Sequence, residues 1–130
     1  MDVTRELILP VPPAEVWAAL TDPERLEEWF ASEVELELSP GGRGLFRWGS
    51  GEVRRAFFEE IDPERRLAFR WREEAAPTEE SRVTFTLEEL PEGTRLTVTE
   101  STQGSPRASA GEWSSALALR AFVSQARVLV

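Results

Sequence analysis

The chain of 130 residues has the length of one domain, and its 41% hydrophobic and 30% charged residues are typical of a globular protein. It has no His, Cys or Tyr and all 15 basic residues are Arg, which excludes the usual metal and haem ligand sets, His-dependent nucleophiles, Schiff-base lysines and P-loops. A net charge of −9 disfavours nucleic acid and anionic membrane surfaces as partners.

The first elements are a strand and two short helices. Alternating residues from Val3 to Leu9 predict the strand, which prolines end. Helical spacing of apolar residues predicts a helix from Ala14 to Leu20. Asp22 is suited to cap a second helix, and a proline has a preset φ for the first helical position. We therefore expect that second helix over about Pro23 to Phe30.

Period-two alternation then predicts six further strands, separated by turns rich in Gly and Pro. The predicted runs are about 33–38, 45–48, 52–61, 67–72, 82–88 and 95–99. The doublet Phe57-Phe58 interrupts the alternation and predicts a β-bulge. The result is an antiparallel meander with one apolar and one charged face.

The last predicted element is a helix over 109–129, where Pro is absent and apolar residues recur at helical spacing. A helix of this length extends ~30 Å, enough to cross a sheet. The apolar face of the sheet must be covered, and this helix and the short pair are the elements available. We therefore predict an α+β fold over a single domain, 1–130, in which a curved sheet wraps the terminal helix and a gap between them forms a cavity.

Several short motifs occur in the order found in one known family. They are Leu20-Thr21-Asp22-Pro23-Glu24, Pro40-Gly41-Gly42, Glu60-Ile61-Asp62-Pro63, Gly93-Thr94-Arg95-Leu96 and Gly111-Glu112-Trp113. The chain resembles the Hsp90 ATPase activator C-terminal-like family, of the START-like helix-grip superfamily, apart from an extra Glu in the usual Gly-Trp pair. The resemblance implies that the first strand pairs with the last and that the cavity lies beneath the long helix. It implies no particular ligand.

Five Trp carry the candidate site, because we assign all five to inward faces. Plain core packing is one interpretation, since Trp buries a large area. The other is an apolar pocket for a small hydrophobic molecule such as a fatty acid, sterol or aromatic polyketide, with no metal and no cofactor. Trp17 is assigned a structural role. The predicted ligand-binding residues are Trp29, Phe46, Trp48, Phe69, Trp71, Phe85, Trp113 and Leu117.

Two other functions stay open. The resemblance implies a chaperone-associated interaction module, hence a stress-response role, and the acidic alternation of Glu33, Glu35 and Glu37 is a candidate contact for a basic partner. A solvated strand face that pairs with Arg across the sheet is the simpler interpretation of that alternation. The other function is a cyclase- or aromatase-like enzyme, with a desolvated carboxylate as acid or base. The nearest carboxylates by sequence are Glu59, Glu60 and Glu112.

The remaining expectations concern location and the outer face. The N-terminal residues lack the basic and apolar regions of a signal peptide, and no apolar run approaches the ~20 residues of a membrane span, which predicts a cytoplasmic protein. The outer-face arginines Arg70, Arg72, Arg82 and Arg95 are expected to pair with the many Glu. A phosphate site requires these arginines to converge, and the net negative charge disfavours that.

Overall fold

The computed structural model describes residues 2–75 and 80–102. These ranges form seven antiparallel strands and two helices, which confirms the predicted α+β class. In chain order the elements are β1 Asp2–Leu9, α1 Pro13–Thr21, α2 Pro23–Trp29, β2 Glu33–Leu36, β3 Arg43–Arg47, β4 Val53–Asp62, β5 Arg66–Glu73, β6 Glu80–Leu90 and β7 Gly93–Thr102. The predicted helix over 109–129 lies outside the described residues.

All seven strands belong to one sheet, in the order β1-β7-β6-β5-β4-β3-β2. The first strand therefore pairs with the last, as the resemblance implied, and Leu7 lies opposite Leu96. The other neighbours in the sheet are strands that follow one another in the chain, which is the predicted meander. Within the described ranges, neither helix has the length and apolar character required to cross a membrane.

The two short helices follow directly on one another because of Asp22 and Pro23. The Asp22 side chain accepts a hydrogen bond from the backbone N–H of Glu24 at 3.0 Å, and Pro23 occupies the first turn of α2. This is the predicted cap. The α1 helix contacts β6 and β7 and α2 contacts β2, so the pair covers part of one face of the sheet. We call this covered face the inner face.

Alternation assigns apolar side chains to the inner face and charged ones to the outer face. On β4, for example, Ala56 and Phe58 are buried while Arg55 and Phe57 are exposed. The β4–β5 register shifts between Phe58 and Glu60, which confirms the predicted bulge. Its consequence is that two consecutive glutamates, Glu59 and Glu60, both lie outside the apolar face.

The β6 and β7 strands are longer at both ends than predicted, and the bounds also differ around the turn that joins β2 and β3. The β2 strand ends at Leu36 and β3 begins at Arg43, because local turn hydrogen bonds replace strand pairing between them. The N–H of Ser39 donates to the Glu37 carbonyl and that of Gly42 donates to the Ser39 carbonyl. Gly42 is required here, since a Cβ would lie 2.1 Å from the Glu37 carbonyl oxygen.

Gly93 holds the β6–β7 turn against the end of β1. Its φ is +145°, and a Cβ at this position would lie 2.0 Å from the Leu9 carbonyl oxygen. We expect Gly93→Ala to destabilise the fold by at least ~2 kcal/mol, because backbone strain and a backbone clash combine. Gly49→Ala is the matched control, since its new Cβ would lie no closer than 3.7 Å to a neighbour. Urea unfolding of both variants checks this, and equal losses of stability would contradict it.

Candidate functional site

Eight aromatic side chains meet on the inner face, and we call them the aromatic cluster. They come from α2 and its C-terminal cap and from strands β3, β4, β5 and β6, with Trp48 directly after β3. The members are Trp29, Phe30, Phe46, Trp48, Phe58, Phe69, Trp71 and Phe85.

Phe30 and Trp71 are the central rings of the cluster. Phe30 lies 5.4 Å from Trp48 and 6.0 Å from Trp71 between ring centroids, and its ring is nearly parallel to that of Trp71. Phe46 meets the Trp71 ring edge-on at 5.7 Å, and Phe69 does so at 5.5 Å. Such edge-to-face and offset pairs each contribute ~0.5–1.5 kcal/mol beyond burial. The rings therefore form one continuous, mutually oriented apolar surface.

Two indole N–H groups fix this surface to the backbone. Trp29 Nε1 donates to the Ala19 carbonyl and Trp48 Nε1 donates to the Phe30 carbonyl, both at 2.9 Å. The first bond ties α2 to α1, and the second ties the end of α2 to the end of β3. Trp29, Phe30 and Trp48 are only partly buried. These three rings therefore form a rim of fixed orientation, and neither indole N–H of the rim is left for a ligand.

The third indole holds a buried carboxylate. Trp71 Nε1 donates to Glu100 Oε2 at 3.1 Å, and the two side chains are each about 1% exposed. The guanidinium of Arg54 lies 4.7 Å from the Trp71 ring, within the range of a cation–π contact, and is ion-paired with Glu52 at 2.8 Å. A buried carboxylate and a buried guanidinium thus flank one indole at the centre of the inner face. We call Arg54, Trp71 and Glu100 the buried polar group.

The structure brings together six of the eight predicted ligand-binding residues. Trp29, Phe46, Trp48, Phe69, Trp71 and Phe85 all belong to the aromatic cluster. Trp113 and Leu117 lie outside the described residues. Trp17, assigned a structural role, packs partly buried against the core.

Sequence reasoning missed four residues of this region. Phe30 was named as the last residue of the second predicted helix, but it caps α2 and its ring lies in the cluster. Phe58 was noted only as part of the bulge. Arg54 and Glu100 were not considered as inner-face residues. Their signal was present, because Arg54 is in phase with Ala56 and Phe58, and Glu100 is in phase with Leu96 and Val98.

Two of the three carboxylates proposed from sequence for acid–base chemistry, Glu59 and Glu60, are not on the inner face. Glu59 pairs with the outer-face residues Arg70 and Arg82, and Glu60 pairs with Arg66 at 2.8 Å. The bulge explains this, since it places both glutamates on the charged side. Glu112 lies outside the described residues. Glu100 is instead the carboxylate buried beside the aromatic cluster.

The outer glutamates of β2 follow the simpler interpretation in part. Glu33 lies opposite Arg47 on β3, with the charged atoms 3.9 Å apart and both side chains well exposed. Glu35 lies opposite Leu45 and is also exposed. These contacts are those of a solvated strand face.

Comparison with known proteins identifies the family. The profile of the family described as activator of Hsp90 ATPase homolog 1-like protein matches residues 10–118. The chain belongs to this family. No curated protein sequence matches it.

Solved structures share the fold over nearly the whole chain. DynU16, a protein in the dynemicin biosynthetic locus, is 28% identical with a TM-score of 0.86; the match covers 96% of this chain and 48% of DynU16, so the chain spans about half of that protein. Protein MLL2253 from Mesorhizobium loti is 27% identical with a TM-score of 0.82, over 96% of this chain and 95% of its own. CalU16 from Micromonospora echinospora is 27% identical with a TM-score of 0.71, over 94% and 72% respectively.

The bond between Trp71 and Glu100 gives a stability prediction. Glu100→Ala leaves the buried indole N–H without this acceptor, so we expect a loss of ~1–3 kcal/mol. Glu60→Ala is the control, because it breaks an exposed ion pair of the kind usually worth at most ~1 kcal/mol. Urea unfolding gives the stabilities, and the near-ultraviolet circular dichroism of Trp71 should change in Glu100→Ala alone. Equal effects of the two variants would contradict a structural role for this bond.

Proposed function

We propose that the protein binds a small hydrophobic molecule against the aromatic cluster, in a cavity between the sheet and the predicted C-terminal helix. The observation that carries the proposal is the continuity of the cluster around Phe30 and Trp71, with a partly buried rim. Pockets for small ligands are lined mainly by apolar and aromatic side chains with a few placed polar groups. The cluster and the buried polar group have this composition.

The hydrogen bonds of the cluster favour one kind of ligand. The N–H groups of Trp29 and Trp48 are bound to backbone carbonyls, so these residues offer a ligand only their ring surfaces. Arg54 and Glu100 supply the polar character nearby. A mostly apolar molecule, with at most one or two polar substituents at one end, fits this distribution. Stacking of flat rings on the rim favours an aromatic ligand over a flexible chain.

The choice of probes follows from the rim and from the sequence. The flat rings of the rim make a polycyclic aromatic probe the first choice. Fatty acids and sterols represent the other hydrophobic classes expected from the sequence.

We expect such a polycyclic aromatic probe to quench or shift the Trp emission of the purified protein in a saturable way. Phe30→Leu should weaken binding about fivefold, because it removes the ring that orients the rim. Phe57→Leu is the matched control: it makes the same replacement on the outer face, where Phe57 is 42% exposed. Fluorescence titration with the aromatic probe, a fatty acid and a sterol measures these affinities.

Two results would count against the proposal. No saturable emission change with any of the three probes is one. Equal weakening by the Phe30 and Phe57 variants is the other, because it moves the probe away from the inner face. Stimulation of the Hsp90 ATPase by a protein that binds no probe would favour the chaperone-associated role instead.

A further inference from the structure

A pocket lies on the outer face of the sheet, opposite the aromatic cluster. It is a depression of about 330 Å³ across β3, β4, β5 and β6. It is lined by Arg43, Gly44, Arg55, Ala56, Phe57, Arg70, Arg72 and Glu80. Four arginines thus converge around one pocket in a chain whose net charge is −9. Two of the four outer-face arginines named from the sequence, Arg70 and Arg72, line this pocket, and Arg43 and Arg55 are the other two.

The strand register makes this arrangement electrostatically costly. Arg55 lies directly opposite Arg72 in the β4–β5 pair, and Arg70 lies directly opposite Arg82 in the β5–β6 pair. Like charges directly opposite one another on a sheet face are destabilising. An anion between or beside the two guanidinium groups would therefore stabilise each arginine pair by reducing this repulsion.

One of the two pairs receives that anion from the protein. Glu59, the residue at the bulge, bridges Arg70 and Arg82, with contacts of 3.1 Å and 3.0 Å to their Nε atoms. The bulge matters here, because it turns this carboxylate toward the two arginines of the neighbouring strands.

The other pair has no such bridge. Arg55 is bound from one side by Glu74 at 2.7 Å, and Glu80, which lies opposite Arg72, contacts Arg70 instead at 3.6 Å. Within residues 2–75 and 80–102, Arg72 makes no ion pair. The Arg55–Arg72 pair thus borders the pocket without a carboxylate shared between its guanidinium groups.

An exposed ring lies beside this pair. Phe57 is 42% exposed and lies between Arg43 on β3 and Arg70 on β5. The Arg70 guanidinium is 5.7 Å from the Phe57 ring centroid. The pocket therefore offers an aromatic surface next to a pair of guanidinium groups that lacks a bridging anion.

We propose that this outer pocket binds a small aromatic carboxylate. Its carboxylate bridges Arg55 and Arg72, as Glu59 bridges Arg70 and Arg82, and its ring packs on Phe57. Guanidinium groups bind carboxylates through paired hydrogen bonds, which gives geometry as well as charge. The volume suits a small molecule, since ligand pockets begin at ~300 Å³. This site is independent of the proposed inner cavity, because its arginines and Phe57 point to the outer face.

Chemical-shift mapping on ¹⁵N-labelled protein tests the site, with naphthalene-2-carboxylate as the probe. We expect saturable shifts of the Nε–H signals of Arg55 and Arg72 and of the Phe57 amide. Arg72→Gln should weaken binding about tenfold, the loss expected for a charge-assisted hydrogen-bonded pair. Phe57→Leu should weaken it several-fold. Naphthalene-2-methanol, which lacks the charge, should give no shifts at these positions.

Matched variants separate this site from general charge and from the inner cavity. Arg47→Gln removes the same charge from the same face outside the pocket and should leave the affinity unchanged. Phe30→Leu should also leave it unchanged, even if it abolishes binding at the inner face. The proposal is overturned if Arg47→Gln weakens binding as much as Arg72→Gln, if shifts occur only in the aromatic cluster, or if inorganic phosphate binds as tightly as the probe. An acidic peptide that binds this face while the probe does not would also overturn it.

Discussion

The buried hydrogen bond from Trp71 to Glu100 is the contact on which the inner face depends. A buried indole N–H and a buried carboxylate both require partners, so the β5 and β7 strands must present these two side chains to each other across β6. Small residues make room for the indole: Ala56 lies opposite Trp71 on β4 and Ser81 lies opposite it on β6. A slip of one residue in either pairing would turn the indole to the charged face. One polar contact thereby specifies the register around which the aromatic rings pack.

The bulge in β4 changes which residues face the core, an effect that strict alternation cannot produce. Before it, Ala56 and Phe58 face the core; after it, Ile61 returns to the core, and two glutamates fall together on the outer side. Glu59 is thereby available to two arginines of neighbouring strands. The same irregularity removes carboxylates from the inner face, so the buried acid there comes from β7. The distribution of charged side chains between the two faces therefore depends on the bulge in the backbone as well as on the residue types.

Much of the fold followed from the sequence because its signals are local. Alternation on β5 and β7, the Asp22 cap and the Phe57-Phe58 doublet each act within a few residues, and each prediction was confirmed. The pairing of β1 with β7 came from the family resemblance, since no local signal encodes it. The candidate site was predictable where it is aromatic. Its charged members were missed, because Glu100 and Arg54 follow the apolar phase of their strands while their chemistry suggests solvent.

The two proposed sites use the same strands from opposite sides. On β4, Arg54 faces the aromatic cluster and Arg55 faces the outer pocket; on β5, Trp71 faces inward between Arg70 and Arg72. Successive side chains of one strand point to opposite faces of the sheet, so each strand contributes to both sites only if its register is fixed. The buried polar group supplies that restraint from the inside, while Glu59 and its two arginines supply it from the outside. Because successive side chains point in opposite directions, each face can change its ligand chemistry without altering the other. The solved structures that are less than 30% identical to this chain share its fold, so the same backbone accommodates different side chains on both faces of the sheet.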